Sequence, residues 1–266
     1  MLDDAVEILF TGWDVGIDLG IEHAFEPSLP VAEALRDEVM LAWNANGQPL
    51  LPQHGYPLRL IVLSWYGMAS VKWLRAITLL NRPFEGIQQS AVYRFQQQTG
   101  ETGEPVQLKR VNSVILPPGI PDLITRHRFI APGRHILQGN AWSGSGRITN
   151  VEVSVDDGAS WRAADLVPVS QDRFAWTQWR IEWEVDGPGE YVIACRARDE
   201  TDHVQPLDPN SVWNRQGMGG NGVQRIAVTE QNDVGVSATR VPSLTRVAVS
   251  GAKAPPTPDI VNSFTP

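Results

Sequence analysis

The sequence predicts an α+β fold that is mostly β: a small mixed half, an immunoglobulin-like β-sandwich after it, and a tail expected to be disordered. Three observations carry this. Between residues 134 and 199, apolar and polar residues alternate in stretches of strand length separated by Gly, Asp and Pro, as in strands with one buried face. Before Pro117 the apolar runs are shorter and are broken by glycines, prolines and one helix signal. From Glu230 onward the chain is rich in Val, Ser, Thr, Ala and Pro, with one aromatic, Phe264, and carries too little pattern to specify a core. The expected domains are residues 1–112, 113–229 and 230–266.

In chain order, Val6 to Phe10 alternates like a strand and ends at Thr11-Gly12-Trp13-Asp14. Ser28-Leu29-Pro30 reads as the start of a helix over Val31–Arg36, with Ser as the cap and Pro in the first turn. Val39 to Trp43 reads as a strand, and Asn46-Gly47 between apolar runs as a hairpin turn. Leu60 to Leu63 is a short apolar run with the character of a buried strand. Ala69 to Trp73 is expected to be extended, and Ile77 to Leu80 to be a further strand. Residues 97–105 are polar. Pro117-Pro118-Gly119 marks the approach to the sandwich, whose strands are expected at Arg134–Trp142, Ile148–Val155, Thr177–Val185 and Gly189–Asp199. Asp156-Asp157-Gly158 is a hairpin turn. Trp179, Ile181 and Trp183 share one face of their strand, as do Tyr191, Ile193, Cys195 and Ala197. An antiparallel sandwich of the seven-strand class should therefore bury Val151, Val153, Trp179, Ile181, Ile193 and Cys195.

Composition bounds the chemistry. The chain has 266 residues and a net charge of −8 with both signs interspersed, which argues against nucleic acid or an anionic membrane as partner. No apolar run has the length of a bilayer span. One cysteine and five scattered histidines give no disulfide and no metal-ligand spacing. The most informative stretch runs from His54 to Leu74. It sets His54, Arg59 and Lys72 at the mouths of short apolar segments, with Gly55 and Gly67 alongside. Cations beside glycines suit an anionic ligand, because the backbone can approach it while the charges pair with it. The plain alternative has His54 capping a turn, Arg59 pairing with a surface carboxylate and Lys72 solvated.

This stretch, H-G-x-P-x-R followed by S-V-K-W-L, resembles the pterin-binding core of the sulfite oxidase family of molybdenum enzymes, to which assimilatory nitrate reductases also belong. The resemblance extends through Asn46-Gly47-Gln48-Pro49-Leu50 and, in the sandwich, through Ala141-Trp142-Ser143-Gly144, Val151 to Gly158 with Trp161, and Trp213-Asn214 with Gly217. It covers residues 5–229. It implies a molybdopterin cofactor (the molybdenum-pyranopterin), with Arg59 and Lys72 neutralising its phosphate. His54 and the Ser70 and Val71 amides would donate hydrogen bonds, and Asp14 would contact the cofactor from its loop. Tyr93 is implied as the active-site tyrosine. The resemblance also implies that residues 113–229 form a dimerisation domain.

Two departures follow from the same comparison. The family's metal is held by one cysteine thiolate from a part of the fold that would precede residue 1, and the only cysteine here lies in a sandwich strand. The expectation is thus the C-terminal part of a molybdopterin domain, with apolar surface exposed where layers are missing. The family's sulfite-binding arginine also sits at the fourth position of a W-N-L-R-G motif. Here that position is Gln216 and the arginine is Arg215, one residue early, where an extended backbone would turn it to the other face. The leading reading is an oxidoreductase of the sulfite oxidase or dehydrogenase type. It would act on a small-molecule substrate and work as a homodimer through the sandwich, with an electron acceptor such as a c-type cytochrome. The alternative is a non-catalytic dimerisation or protein-binding sandwich with a vestigial pterin site.

Overall fold

The computed structural model describes residues 4–185 and 187–231. The tail expected to be disordered lies outside them, apart from Glu230 and Gln231. Strand β1 (Glu7–Gly12) forms the centre of a three-stranded antiparallel sheet. A hairpin of β2 (Val15–Asp18) and β3 (Ile21–Ala24) follows, then the short edge strand β4 (Ser28–Pro30). Helix α1 covers only Val31–Ala34. Ser28 does not cap it. The Ser28 hydroxyl donates to Glu7 Oε2 at 2.6 Å and Ser28 sits in β4, because pairing with β1 satisfies its backbone better than a one-turn helix could.

Strand β5 (Val39–Ala42) pairs with β6 (Arg59–Val62). Between them, Asn44–Ala45 and Gln48–Pro49 form the hairpin that the sequence announces, with Asn46 and Gly47 both at positive φ, 52° and 75°. A two-residue turn with this conformation matches the twist of its strands. Leu60 and Val62 are buried, whereas Leu63 is exposed. The stretch expected to be extended after Gly67 instead starts as a tight 3₁₀ turn, Gly67–Ala69, and β7 runs from Leu74 to Leu80. Val71 still meets the sheet: its carbonyl accepts from Leu60 N at 2.8 Å. Ile8, Phe10, Leu29, Leu60, Val62, Trp65, Val71 and Leu74 make the core of this half.

In the second half, β8 (Asn112–Leu116), β9 (Arg128–Ile130), β10 (Gly133–Trp142), β11 (Ile148–Ser154), β12 (Asp165–Pro168), β13 (Thr177–Val185), β14 (Glu190–Asp199) and β15 (Arg225–Glu230) build two sheets. One has the order β8-β10-β13-β12. The other runs from Ile120–Pro121 through β9, β15, β14 and β11 to Arg162–Ala163. The sandwich is not wholly antiparallel: β9 runs parallel to β15, pairing Arg128 with Val228 and Ile130 with Glu230. β8 precedes Pro117 and already belongs to this sandwich. The alternation read from the sequence is realised, with Val151, Val153, Trp179, Ile193 and Cys195 buried between the sheets and Ile181 half-buried against them. At the turn after β11, Asp157 and Gly158 adopt φ of 56° and 90°.

The halves meet along residues 107–110 and 213–217. Lys109 N donates to Ser64 O at 3.0 Å, and the Lys109 carbonyl accepts from Gly144 N at 2.7 Å. A side chain at Gly144 would overlap both the Ser64 carbonyl and the Lys109 backbone, so glycine is what lets the three strands of chain come together. The Tyr66 hydroxyl accepts from Arg110 N at 3.3 Å and donates to Gly219 O at 3.4 Å.

Candidate functional site

The residues from His54 to Lys72 come together at one end of β6. Pro52–His54 form a 3₁₀ turn closed by Gly55 in the left-handed region, φ 98°. A Cβ at Gly55 would lie 3.0 Å from Lys72 Cα and Cβ and 3.2 Å from Arg59 Cβ, so glycine is what lets this turn pack closely against both residues. Arg59 Nη1 donates to His54 O at 3.0 Å and Nη2 to Ser70 O at 3.3 Å. Lys72 Nζ donates to Gln53 O at 2.9 Å, and Trp73 Nε1 to Pro52 O at 2.8 Å. Backbone carbonyls thus fix both cations, and among the described residues neither has a carboxylate partner. Burial pulls the Arg59 guanidinium below its ordinary pKa, and its Nε is buried with no acceptor. A half-buried guanidinium without a carboxylate partner suits an anionic ligand.

Asp14 stands beside this cluster. Trp13 N donates to Trp73 O at 2.9 Å, and a Cβ at Gly12 would meet both Asp14 Oδ1 and, at 3.0 Å, Lys72 O. Asp14 Oδ1 is buried without a donor, so the site also offers an unsatisfied acceptor next to its cations. The Ser70 and Val71 amides are already engaged within their turn, donating to Gly67 O at 3.1 Å and Ala69 O at 3.2 Å. Ser70 Oγ accepts from Val62 N at 3.0 Å. These two residues shape the loop instead of presenting free amides, a correction to the role the resemblance implied. The His54 side chain is exposed.

A second group lies at the far end of β2, roughly 13 Å of strand from Asp14. Asp18 borders a cavity of about 540 Å3 together with Ala91, Gln96, Glu101, Arg215 and Gln216. Tyr93 closes a π-helical turn, Gln88–Val92, that Gln89 ties to β4 through Ser28 N at 3.0 Å. Burial, with the Asp18 charge adding to it, raises the Tyr93 pKa. The phenol therefore stays protonated and remains a donor; among the described residues its hydroxyl has no partner. The Trp213–Gly217 segment is a turn and not a strand: Gly217 N donates to Asn214 O at 2.8 Å. Arg215 consequently does not point to an opposite face. It and Gln216 border the same cavity, while the Gln216 amide donates to Ala91 O and Gln96 Oε1, both at 3.0 Å. Asp18 and Gln96 were not legible as site residues, because only the folding of β2 and of residues 88–96 brings them to Arg215. Cys195 is fully buried and its pKa is pushed up to about 12 by burial.

A mixed α/β half carrying an uncompensated cationic cradle, joined to an immunoglobulin-like sandwich, is the architecture of a molybdopterin-type oxidoreductase with its dimerisation domain. Residues 1–88 match the oxidoreductase molybdopterin binding domain, and residues 105–231 the Mo-co oxidoreductase dimerisation domain. Mitochondrial sulfite oxidase of Mus musculus is 32% identical over 77% of this chain and 39% of its own length. NADH nitrate reductase of Hordeum vulgare is 31% identical over 79% of this chain and 24% of its own. The sulfane dehydrogenase SoxCD of Paracoccus pantotrophus superposes with a TM-score of 0.69 at 31% identity, over 84% of this chain and 55% of that one. The chain belongs to the sulfite oxidase family of molybdopterin-dependent oxidoreductases. It spans about two-fifths of the length of its sulfite oxidase relatives.

Proposed function

We propose that this chain supplies the phosphate- and pterin-holding wall of a molybdopterin-dependent oxidoreductase of the sulfite oxidase or dehydrogenase type. The observation that carries it is the pair Arg59 and Lys72, each held by backbone carbonyls and unneutralised, facing one another across Gly55. The residues present fit the cofactor. Among the described residues Arg59 Nε is an orphaned buried donor, suited to a phosphate oxygen, and Asp14 Oδ1 an orphaned acceptor, suited to a heterocyclic N–H. Arg59 pairs with phosphate through its fork and Lys72 as a point charge. His54 completes the rim, and Ser70 and Val71 position Arg59 and Lys72. When bound, the cofactor supplies two-electron redox chemistry; the protein orients it and complements its charge. The β2–β3 hairpin links this end to the Tyr93 end, which suits an elongated cofactor lying along β2. Tyr93, a phenol throughout the physiological range, donates a hydrogen bond to substrate or to a cofactor oxygen.

The substrate in this reading is a small sulfur oxyanion such as sulfite, in keeping with the relatives named sulfite oxidase and sulfane dehydrogenase. Arg215 is its cation, in place of an arginine at position 216, at a cavity that Asp18 and Glu101 also border. The protein works as a homodimer through the sandwich, since C2 pairing is the commonest closed arrangement. Electrons leave the site to an acceptor such as a c-type cytochrome. Cys195 cannot ligate a metal at the cradle, so these residues hold the cofactor and not its molybdenum. The 266-residue polypeptide alone should not oxidise sulfite in a dye-linked assay.

Substituting Arg59→Ala in the whole protein should lower molybdopterin content by roughly tenfold at limiting cofactor, as expected when a charge-assisted phosphate contact is lost. The readout is the fluorescence of the oxidised pterin released on denaturation, alongside molybdenum content. Unchanged pterin and molybdenum would sink the assignment. Sedimentation of the whole chain as a monomer at high concentration would remove the homodimer.

A further inference from the structure

A cavity of about 400 Å3, lined by residues between Leu108 and Asn221, opens beside the seam between the halves, away from Arg59 and Lys72. Its polar lining includes Lys109, Arg110, His203 and Asn221, and no carboxylate lines it. In a chain of net charge −8, that concentration of cationic groups is not what composition alone would give. Lys109 is fixed from both sides by its backbone bonds to Ser64 and Gly144. Its ammonium has no hydrogen bond or ion pair among the described residues, and burial draws its pKa below the ordinary lysine value. The Arg110 guanidinium lies 3.7 Å from the centroid of the Phe95 ring, which orients its plane; Arg110 also borders a neighbouring cavity with Glu101 and Glu104, but it makes no ion pair among the described residues. His203 shares its Nδ1 with Thr201 Oγ1 at 2.9 Å, so Nε2 is the nitrogen left to face a ligand.

The fourth group sets the ligand's other requirement. Asn221 is only 5% exposed; its Nδ2 donates to Val111 O at 2.9 Å, and its Oδ1 is buried with no donor among the described residues. An occupant must therefore present an acceptor anion to the cations and an N–H or O–H to Asn221. Leu108, Val204, Pro206 and Val212 provide an apolar wall between. The volume lies within the range of small-molecule pockets and exceeds what an inorganic oxyanion fills.

We infer that this seam cavity binds a small organic anion, a sulfonate or carboxylate with an apolar body and a hydrogen-bond donor, held by Lys109 and Arg110 at its charged end and by Asn221 Oδ1 at its donor. The inference stands whether or not the cradle at Arg59 holds molybdopterin.

The test is isothermal titration of the full chain with 4-hydroxybenzenesulfonate, benzenesulfonate and inorganic sulfate. The hydroxylated sulfonate should bind tightest, with benzenesulfonate weaker for want of the donor and sulfate weakest for want of the apolar body. Lys109→Met should weaken the hydroxylated sulfonate by roughly tenfold. Val204→Glu, which places a carboxylate at an already partly exposed cavity position, should weaken it at least as much. Lys72→Met should leave it unchanged. Sulfate binding as tightly as the sulfonates would overturn the organic-anion assignment. Loss of binding on Lys72→Met would move the site to the cradle. No binding by the unmodified chain, or an unchanged affinity in both cavity variants, would refute it.

Discussion

The two halves of this chain bury their apolar residues very differently. In the sandwich, two sheets face each other and every second residue of the long strands finds a partner, so Leu137, Val151, Trp179 and Ile193 are all at or below 1% exposure. The first half closes a smaller core around Leu29, Leu60 and Val71, yet leaves Trp13 68%, Ile17 72%, Leu19 76% and Ile77 51% exposed. Ile17 and Leu19 lie on the β2–β3 hairpin, which joins the Asp14 cradle to the Asp18 cavity, and Ile77 on β7, the edge of its sheet. The larger closed core thus lies in the sandwich. The half that carries the candidate chemistry keeps its apolar and cationic surfaces open, as binding surfaces do. Function needs unsatisfied groups, and a well-closed core has few.

The largest test of that contrast is a core truncation. Leu137→Ala, within the sandwich, should cost about 2–5 kcal/mol by urea unfolding, whereas Ile17→Ala on the exposed hairpin should fall within about 0.5 kcal/mol of the parent. Equal costs would mean that the hairpin is as well packed as the sandwich. Next comes the seam. Gly144→Ala drives a methyl into Ser64 O and the Lys109 backbone and should destabilise by about 1–3 kcal/mol. If the halves depend on the seam to unfold together, two transitions should separate in the variant where the parent shows one. A smaller effect concerns Cys195. Its thiol accepts from Ser113 Oγ at 3.1 Å in the core and stays protonated, so a disulfide reagent at neutral pH should modify it only after unfolding. Rapid labelling of the native protein would place Cys195 at the surface.

The smallest effect is one of pH. The Ser160 hydroxyl and amide and the Ser154 hydroxyl all donate to Asp156 and hold its pKa down to about 2. A depressed folded-state pKa stabilises above the unfolded value, and that contribution is lost as pH falls through the folded one. Asp156→Asn should therefore flatten the decline in the sandwich's stability between about pH 4 and pH 2 and leave the rest of the profile alone. A parallel acid limb in the variant would show that Asp156 contributes nothing there.

Local sequence determined much of this molecule. Alternation at period two fixed which faces of Thr177–Val185 and Glu190–Asp199 turn inward, because neighbouring side chains on a strand point to opposite sides. Asn46-Gly47 and Asp157-Gly158 declared their turns, since few residues accept positive φ. The His54, Arg59 and Lys72 spacing marked the residues that gather at one end of β6, where the anion site is proposed. Other features depended on contacts over long separations. Ser28 left its helix cap because β1 offered it a sheet partner. Arg215 and Gln216 came to border one cavity because a turn, not a strand, carries them. Lys109 is half-buried because Ser64 and Gly144 close on it from two halves of the chain. Such contacts join residues tens to more than a hundred positions apart, and no local period or composition encodes them. They are decided only when the sheets pack and a given backbone group has just one partner within reach.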